Sequence, residues 1–175
     1  MISVEFTTAF RAVYDRASAR YARGGATAAN LLNTADVAFL ASQGITAQHV
    51  FDYVEDLANY GAPDFATAHA IELVRRDYFL NVQKGRPSSV VLDPASLPAK
   101  TATLLGMNWL PRLIPKARAK LRGELPATMM FCCGGDRDFF KKHAINAAEF
   151  LSIVGTHETD DNAIATEILR RSGKT

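Results

Sequence analysis

Apolar residues recur at three- and four-residue intervals through most of the chain, and each periodic stretch ends within a few turns at a glycine, a proline or a new capping residue. In the first stretch, Phe6, Phe10 and Val13 share one helix face, and Gly24 and Gly25 end it. Short amphipathic helices of this kind bury their apolar stripes against one another. The pattern predicts a mainly α fold, a compact bundle of about seven to eight short helices in two packed halves.

Residues 86–107 interrupt the helical period, because Pro87, Pro94 and Pro98 fall within them. We interpret this stretch as an ordered connection between a helical N-terminal half, residues 1–85, and a C-terminal half, residues 108–173. The short helices of each half would bury little surface alone, so we expect residues 1–175 to form a single domain. Residues 90–92 and the apolar residues 128–133 are compatible with one minor two-stranded β pair.

The composition, with 48% hydrophobic and 22% charged residues, is that of a globular protein and excludes disordered and fibrous classes. The formal net charge of +2 provides no field that would recruit nucleic acid or an acidic membrane. The first residues lack the pattern of a signal peptide, and no stretch is apolar for long enough to span a membrane. The adjacent cysteines do not suit a disulfide. We therefore expect a cytoplasmic monomer or simple homo-oligomer, with no membrane partner and with nucleic acid disfavoured.

One short segment combines two thiols, two glycines and two opposite charges, namely Cys132, Cys133, Gly134, Gly135, Asp136 and Arg137. Backbone amides of a glycine turn and a helix N-terminus can hold an anion or activate a thiol. This pattern makes Cys133 a candidate nucleophile and Asp136 a second candidate catalytic residue. The structural alternative is that Cys133 is a small buried residue, while Asp136 caps a helix and pairs with Arg137.

A second group of candidates lies between residues 109 and 122. Arg112, Lys116 and Lys120 recur at every fourth residue and form a basic helix face, and Arg118 lies at the edge of the apolar face. Guanidinium groups suit a carboxylate or phosphate, and Trp109 can supply an aromatic wall. The alternative is a solvated basic face, with Arg118 paired to Asp52, Glu55 or Asp56 from the first half.

The sequence of residues 109–123, WLPRLIPKARAKLRG, together with the run CGGDR at 133–137 and the stretch 145–151, resembles the signature of a bacterial family catalogued as domain of unknown function 5069. The resemblance covers about residues 85–172. Residues 52–83 are similar to the N-terminal extension of its longer members. The resemblance implies a shared fold and a shared site, and it brings no established activity.

Several strong signatures do not occur in the sequence: the glycine fingerprint of dinucleotide-binding proteins, the phosphate loop, the nucleophile elbow of hydrolases and zinc-type cysteine spacing. His49, Asp52, Asp56 and His69 also lack the spacing of a known metal motif. We therefore expect no cofactor and no metal site.

Three functions follow from these candidates. The first is a helical module that binds a small anionic ligand, with the contact residues Trp109, Arg112, Lys116, Arg118, Gly134, Gly135 and Arg137. The alternative is a thiol-dependent enzyme with Cys133 as nucleophile and His143 or His157 as base. The third is a protein or nucleic-acid adaptor that uses the basic helix face of Arg112, Lys116 and Lys120 together with Arg75, Arg76 and Lys84. The sequence leaves open whether the protein catalyses a reaction.

Overall fold

The computed structural model describes the backbone of residues 2–173 and the side chains of residues 4–173. Its α-helices in this range are α1 (Ile2–Tyr21), α2 (Thr34–Ser42), α3 (Ala47–Tyr60), α4 (Phe65–Asp77), α5 (Leu110–Arg122), α6 (Gly134–Lys142), α7 (Ala147–Thr156) and α8 (Asp161–Arg171). A π-helical turn, Tyr78–Val82, continues α4, and a 3-10 turn covers Pro94–Ser96. Two short strands, β1 (Thr103–Leu104) and β2 (Met107–Asn108), form an antiparallel pair. The predicted mainly α fold with one minor β pair is confirmed.

Polar side chains fix where most of these helices begin. An oxygen of the residue before the first turn accepts a hydrogen bond from a backbone N–H of that turn in α2, α3, α4, α7 and α8, where the capping residues are Asn33, Thr46, Asp64, Asn146 and Asp160. Gly61 and Gly123, both at φ 74°, end α3 and α5 in the left-handed conformation that glycine adopts without strain. The helix lengths are thus set locally by the sequence.

The chain divides into two compact units, residues 1–85 and residues 86–175. In the first unit, α1 packs on α3 and α4, and its core contains fully buried residues such as Phe10, Val50 and Ile71. In the second unit, α5 packs on α7 and α8, and Ile114 and Phe150 are buried between them. That residues 1–175 make a single domain stays a prediction.

The β pair lies at a different place from the one predicted. Its strands are joined by Leu105 and Gly106, at φ 46° and 76°, which are the two left-handed positions of a tight hairpin turn. Residues 90–92 are not a strand, because the Leu92 N–H donates to the carbonyl of Glu124, beyond the end of α5. Residues 128–133 are not a strand either, since Cys132 has φ 74° and reverses the chain before α6. The predicted location of the β pair was therefore wrong.

No helix within residues 2–173 combines the length and the apolar character that crossing a membrane requires.

Candidate functional site at the start of α6

The turn before α6 sends two adjacent thiols into different environments. Cys132 has φ 74° and is 1% exposed, whereas Cys133 has an extended conformation, precedes the first residue of α6 and is half-buried. The Arg137 guanidinium donates to the carbonyl of Cys132 at 2.8 Å and so holds the turn closed. Only Cys133 is therefore presented towards solvent.

The Asp136 carboxylate is the centre of the site. It is fully buried and accepts three hydrogen bonds: from Lys116 Nζ at 2.6 Å, from the Cys132 backbone N–H at 2.8 Å and from Trp109 Nε1 at 3.0 Å. A buried carboxylate is costly unless it is paired and hydrogen-bonded, and these donors meet that requirement. Asp136 thus connects α6, the thiol turn and the start of α5.

The Lys116 ammonium lies between a carboxylate and a thiol. Its Nζ is 2.6 Å from Asp136 Oδ2 and 3.1 Å from Cys133 Sγ, and the side chain is only 6% exposed. Trp109 precedes α5 in a left-handed conformation, and Lys116 lies within the helix, yet both side chains contact the Asp136 carboxylate. The sequence suggested that Lys116 and Lys120 lie on a solvated basic face, but both side chains are buried. This burial removes the support for an exposed basic face that would contact a partner.

The two thiols differ in their electrostatics. Burial raises the pKa of the Cys132 thiol to about 12, and the charge of Asp136 acts in the same direction. Cys132 is therefore a protonated thiol at neutral pH. The Cys133 sulfur differs in its surroundings, because it lies 3.1 Å from the Lys116 ammonium.

A cleft of about 290 Å³ lies beside the Trp109 indole. It is lined by Lys100, Asn108, Trp109, Gly135, Asp138, Phe139 and Lys142. Phe139 is buried at its floor, while Lys100, Asn108, Asp138 and Lys142 are exposed around it. Two ammonium groups and one carboxylate thus surround an aromatic and apolar interior, an arrangement that suits a small ligand with negative charge.

Gly135 gives the Trp109 ring the space it occupies. A Cβ atom on residue 135 would lie 2.6 Å from Cζ2 and 2.9 Å from Cη2 of the indole, closer than side-chain atoms approach. Gly134 faces more open space, because the nearest atom to an added Cβ there would be Arg137 Nη2 at 3.9 Å. The two glycines predicted as ligand contacts therefore have different roles, and only Gly135 lines the cleft.

Each of the three arginines predicted to bind an anion contacts a different group of the protein. Arg112 donates to the carbonyl of Pro98 at 3.0 Å, and Arg137 donates to Cys132. Arg118 forms an ion pair with Asp161 of α8 at 2.6 Å, not with an acid of the first half as the sequence suggested. Each guanidinium group thus has its own partner in the second unit, and that the three arginines contact a ligand stays a prediction.

The histidines considered as bases occupy other places in the second unit. The His143 ring is buried and lies tilted against Phe139 with centroids 4.4 Å apart, and the His143 backbone carbonyl accepts a hydrogen bond from the Ser172 hydroxyl. His157 lines a different cleft, with Glu149 and Arg171. The basic side chain that contacts the Cys133 sulfur is Lys116.

Sequence reasoning missed the charged residues of the cleft. Gly135, Asp138, Phe139 and Lys142 follow one another at positions i, i+3, i+4 and i+7, so they share one face of α6. That spacing is visible in the sequence once the start of α6 is fixed at Gly134. Lys100 has no such periodic signal, because it precedes the hairpin outside any helix.

A family model described as Domain of unknown function (DUF5069) matches residues 96–173, a range that includes α5, α6 and the whole cleft. The resemblance predicted from sequence is thereby confirmed, while a bacterial origin and an N-terminal extension typical of the longer members stay predictions. Neither the curated proteins nor the solved structures gave a significant match to the chain.

Proposed function

We propose that the second unit, which the model of the DUF5069 family matches over residues 96–173, binds a small anionic ligand in the cleft beside Trp109. The observation that carries the proposal is the cleft itself, with an indole wall, a buried phenyl floor and two lysines around it. Its volume of about 290 Å³ is close to the lower end of the range for small-molecule sites. The ligand is therefore a compact molecule.

The aromatic wall is held in place before any ligand arrives. The Trp109 N–H donates to the buried Asp136 carboxylate, and the indole ring packs against Gly135, which has no side chain to displace it. A side chain fixed in this way loses little conformational freedom on binding, which favours affinity. The rigid indole supports a ligand that has a flat or apolar part.

The net charge of the cleft lining favours a ligand with a negatively charged group. Lys100 and Lys142 carry ammonium groups, and Asp138 carries the opposing carboxylate, so the lining has an excess of one positive charge. Lysine contacts carboxylate and phosphate as a point charge, and the Asn108 amide can add a neutral hydrogen bond. We assign to Lys100 and Lys142 the anion contacts that the sequence suggested for Arg112, Arg118 and Arg137.

Trp109 also provides the readout for a test, because it is the single tryptophan of the chain. Intrinsic fluorescence would be titrated with phenyl phosphate, benzoate and inorganic phosphate. We expect saturable quenching by phenyl phosphate, which offers both a ring and a charge, in the millimolar range or tighter. Calorimetry on the same samples separates binding from inner-filter effects.

A matched pair of variants locates the bound anion. Lys142→Met removes an ammonium of the cleft, and we expect roughly three- to fivefold weaker binding of phenyl phosphate. Lys141→Met removes the neighbouring exposed charge, which does not line the cleft, and should leave the affinity unchanged. Equal effects of both substitutions, or no saturable response to any of the three probes, would contradict the proposal.

A further inference from the structure

Three titratable side chains form a linked cluster at the start of α6, and the anion-binding proposal does not use them as reacting groups. Lys116 Nζ contacts both Asp136 Oδ2 at 2.6 Å and Cys133 Sγ at 3.1 Å. The cation is almost entirely withdrawn from solvent, whereas the sulfur-bearing residue is half-buried. Reactive cysteines are typically found beside a cation and partly exposed, and Cys133 meets both conditions.

A second feature of the same cluster concerns the first turn of α6. In five other helices the preceding side chain accepts a hydrogen bond from a first-turn N–H, but the Cys133 side chain makes no such bond. The helix N-terminus carries partial positive charge, which acts on the residue that precedes it. The sulfur of Cys133 is therefore placed between the N-terminus of α6 and the Lys116 ammonium.

The residue that follows Cys133 is exposed and borders open space. An added Cβ on Gly134 would meet nothing nearer than Arg137 Nη2 at 3.9 Å. A reagent that lies over Gly134 is therefore close to a guanidinium group. That charge favours a reagent that carries carboxylates.

We infer that Cys133 is a site of thiol–disulfide exchange with low-molecular-weight anionic disulfides, activated by Lys116 and connected to the Trp109 cleft through Asp136. The sulfur of Cys133, as thiolate, attacks one sulfur of the disulfide. The new S–S bond forms as the old one breaks, and the leaving thiolate takes a proton from solvent. Cys133 is oxidised to the mixed disulfide, and half of the reagent is reduced to the thiol.

The neighbouring cysteine does not reverse the reaction. Cys132 is buried, and the raised pKa of its thiol, about 12, keeps it protonated at neutral pH. Adjacent residues also fit disulfide geometry poorly. The mixed disulfide on Cys133 therefore persists until an external thiol removes it.

Modification at Cys133 reaches the cleft through three hydrogen bonds. Lys116 loses its contact with the Cys133 sulfur, and the same ammonium contacts Asp136, which accepts from Trp109 Nε1. The indole is thus three contacts away from the reacting atom. This inference stands independently of the proposed ligand, because its readout is a covalent product and not a binding curve.

The test uses the whole protein and oxidised glutathione at pH 7, with intact mass and peptide mapping over time. We expect one mixed disulfide, on Cys133, none on Cys132 and a change in the Trp109 emission that Cys133→Ser does not show. Cys133 in the native chain should react at least several-fold faster than in the urea-unfolded chain, where the Lys116 contact is lost.

A charge-neutral double variant, Lys116→Met with Asp136→Asn, tests the role of the ammonium without leaving a single buried charge. We expect its Cys133 to react about tenfold more slowly than that of the wild type. Equal rates in the two proteins, or a native rate no faster than the unfolded one, would overturn the inference. The native-to-unfolded comparison decides alone if the double variant does not fold. Unchanged Trp109 emission in the fully modified protein would overturn the connection to the cleft.

Discussion

Gly135 and Trp109 lie against each other with no room for a side chain, since a Cβ atom on residue 135 would lie 2.6 Å from Cζ2 of the indole. The contact joins the first turn of α6 to the residue that precedes α5. Because the indole N–H also donates to Asp136, the ring is fixed from two sides by neighbouring residues of α6. The wall of the cleft therefore depends on the glycine as much as on the tryptophan.

Substitution of Gly135 by alanine should displace the indole and destabilise the protein. We expect a loss of about 1–3 kcal/mol in the free energy of unfolding, because the methyl group overfills a closely packed contact. The Trp109 emission should shift in the folded variant, and phenyl phosphate should bind more weakly. Urea unfolding followed by circular dichroism measures the first effect, and fluorescence measures the other two.

Gly134→Ala is the matched control for that change. An added Cβ at residue 134 would be 3.9 Å from its nearest neighbour, an ordinary contact. Alanine also restricts the unfolded chain more than glycine does, so stability should stay the same or rise by about 0.4–1 kcal/mol. Similar destabilisation by both substitutions would mean that the helix start, and not the Trp109 contact, requires glycine.

The ion pair of Lys116 and Asp136 should show strong coupling in a double-mutant cycle. Asp136→Asn leaves the buried ammonium without its carboxylate, and we expect a cost of about 3–5 kcal/mol in unfolding free energy. Lys116→Met should cost a similar amount for the opposite reason. The double variant should cost clearly less than the sum of the two, because neither charge is then left alone. Additive costs in urea unfolding would show that the two groups do not stabilise each other.

The helices could be predicted from the sequence because their information is local. Apolar spacing, capping residues such as Thr46 and terminal glycines such as Gly61 each act within a few residues. The β hairpin was misplaced because its turn contains Leu105 at positive φ, a conformation that leucine seldom adopts and that no sequence pattern announces.

The site could be predicted only in part, for the same physical reason. The importance of the segment around Cys133 was visible, since glycines and a helix start are local features. The partners of Asp136 were not, because Lys116 and Trp109 are 20 and 27 residues away and meet it only in the folded chain. The helical periodicity places Lys116 on a basic face of α5, but it cannot indicate that Asp136 of α6 forms an ion pair with this lysine.

Stability of the first unit should fall when His69 becomes protonated. Its ring stacks on Phe6 and Phe65 and lies tilted against Phe10, its Nε2 lies 2.9 Å from Thr7 Oγ1, and burial lowers the pKa of the imidazole below its ordinary value of 6.5. The unfolded chain therefore binds the proton first, and stability is lost as pH falls below about 6.5. His69→Phe should flatten the dependence of melting temperature on pH between about 7 and 5. An unchanged slope in the variant would assign the acid sensitivity to other groups.

Alkaline pH should destabilise the protein through Cys132. Burial raises the pKa of this thiol from its ordinary value of 9.0 to about 12, so the contribution of the buried thiol to stability is complete below pH 9 and is lost as pH rises towards 12. We expect the melting temperature of the wild type to fall more steeply over this range than that of Cys132→Ala. Cys133→Ala is the matched control and should keep the steep wild-type slope, because it leaves the buried thiol in place. Equal slopes in all three proteins would mean that the fold does not hold the Cys132 thiol protonated. The raised pKa of Cys132 could then no longer explain why Cys133 should be the single reactive thiol.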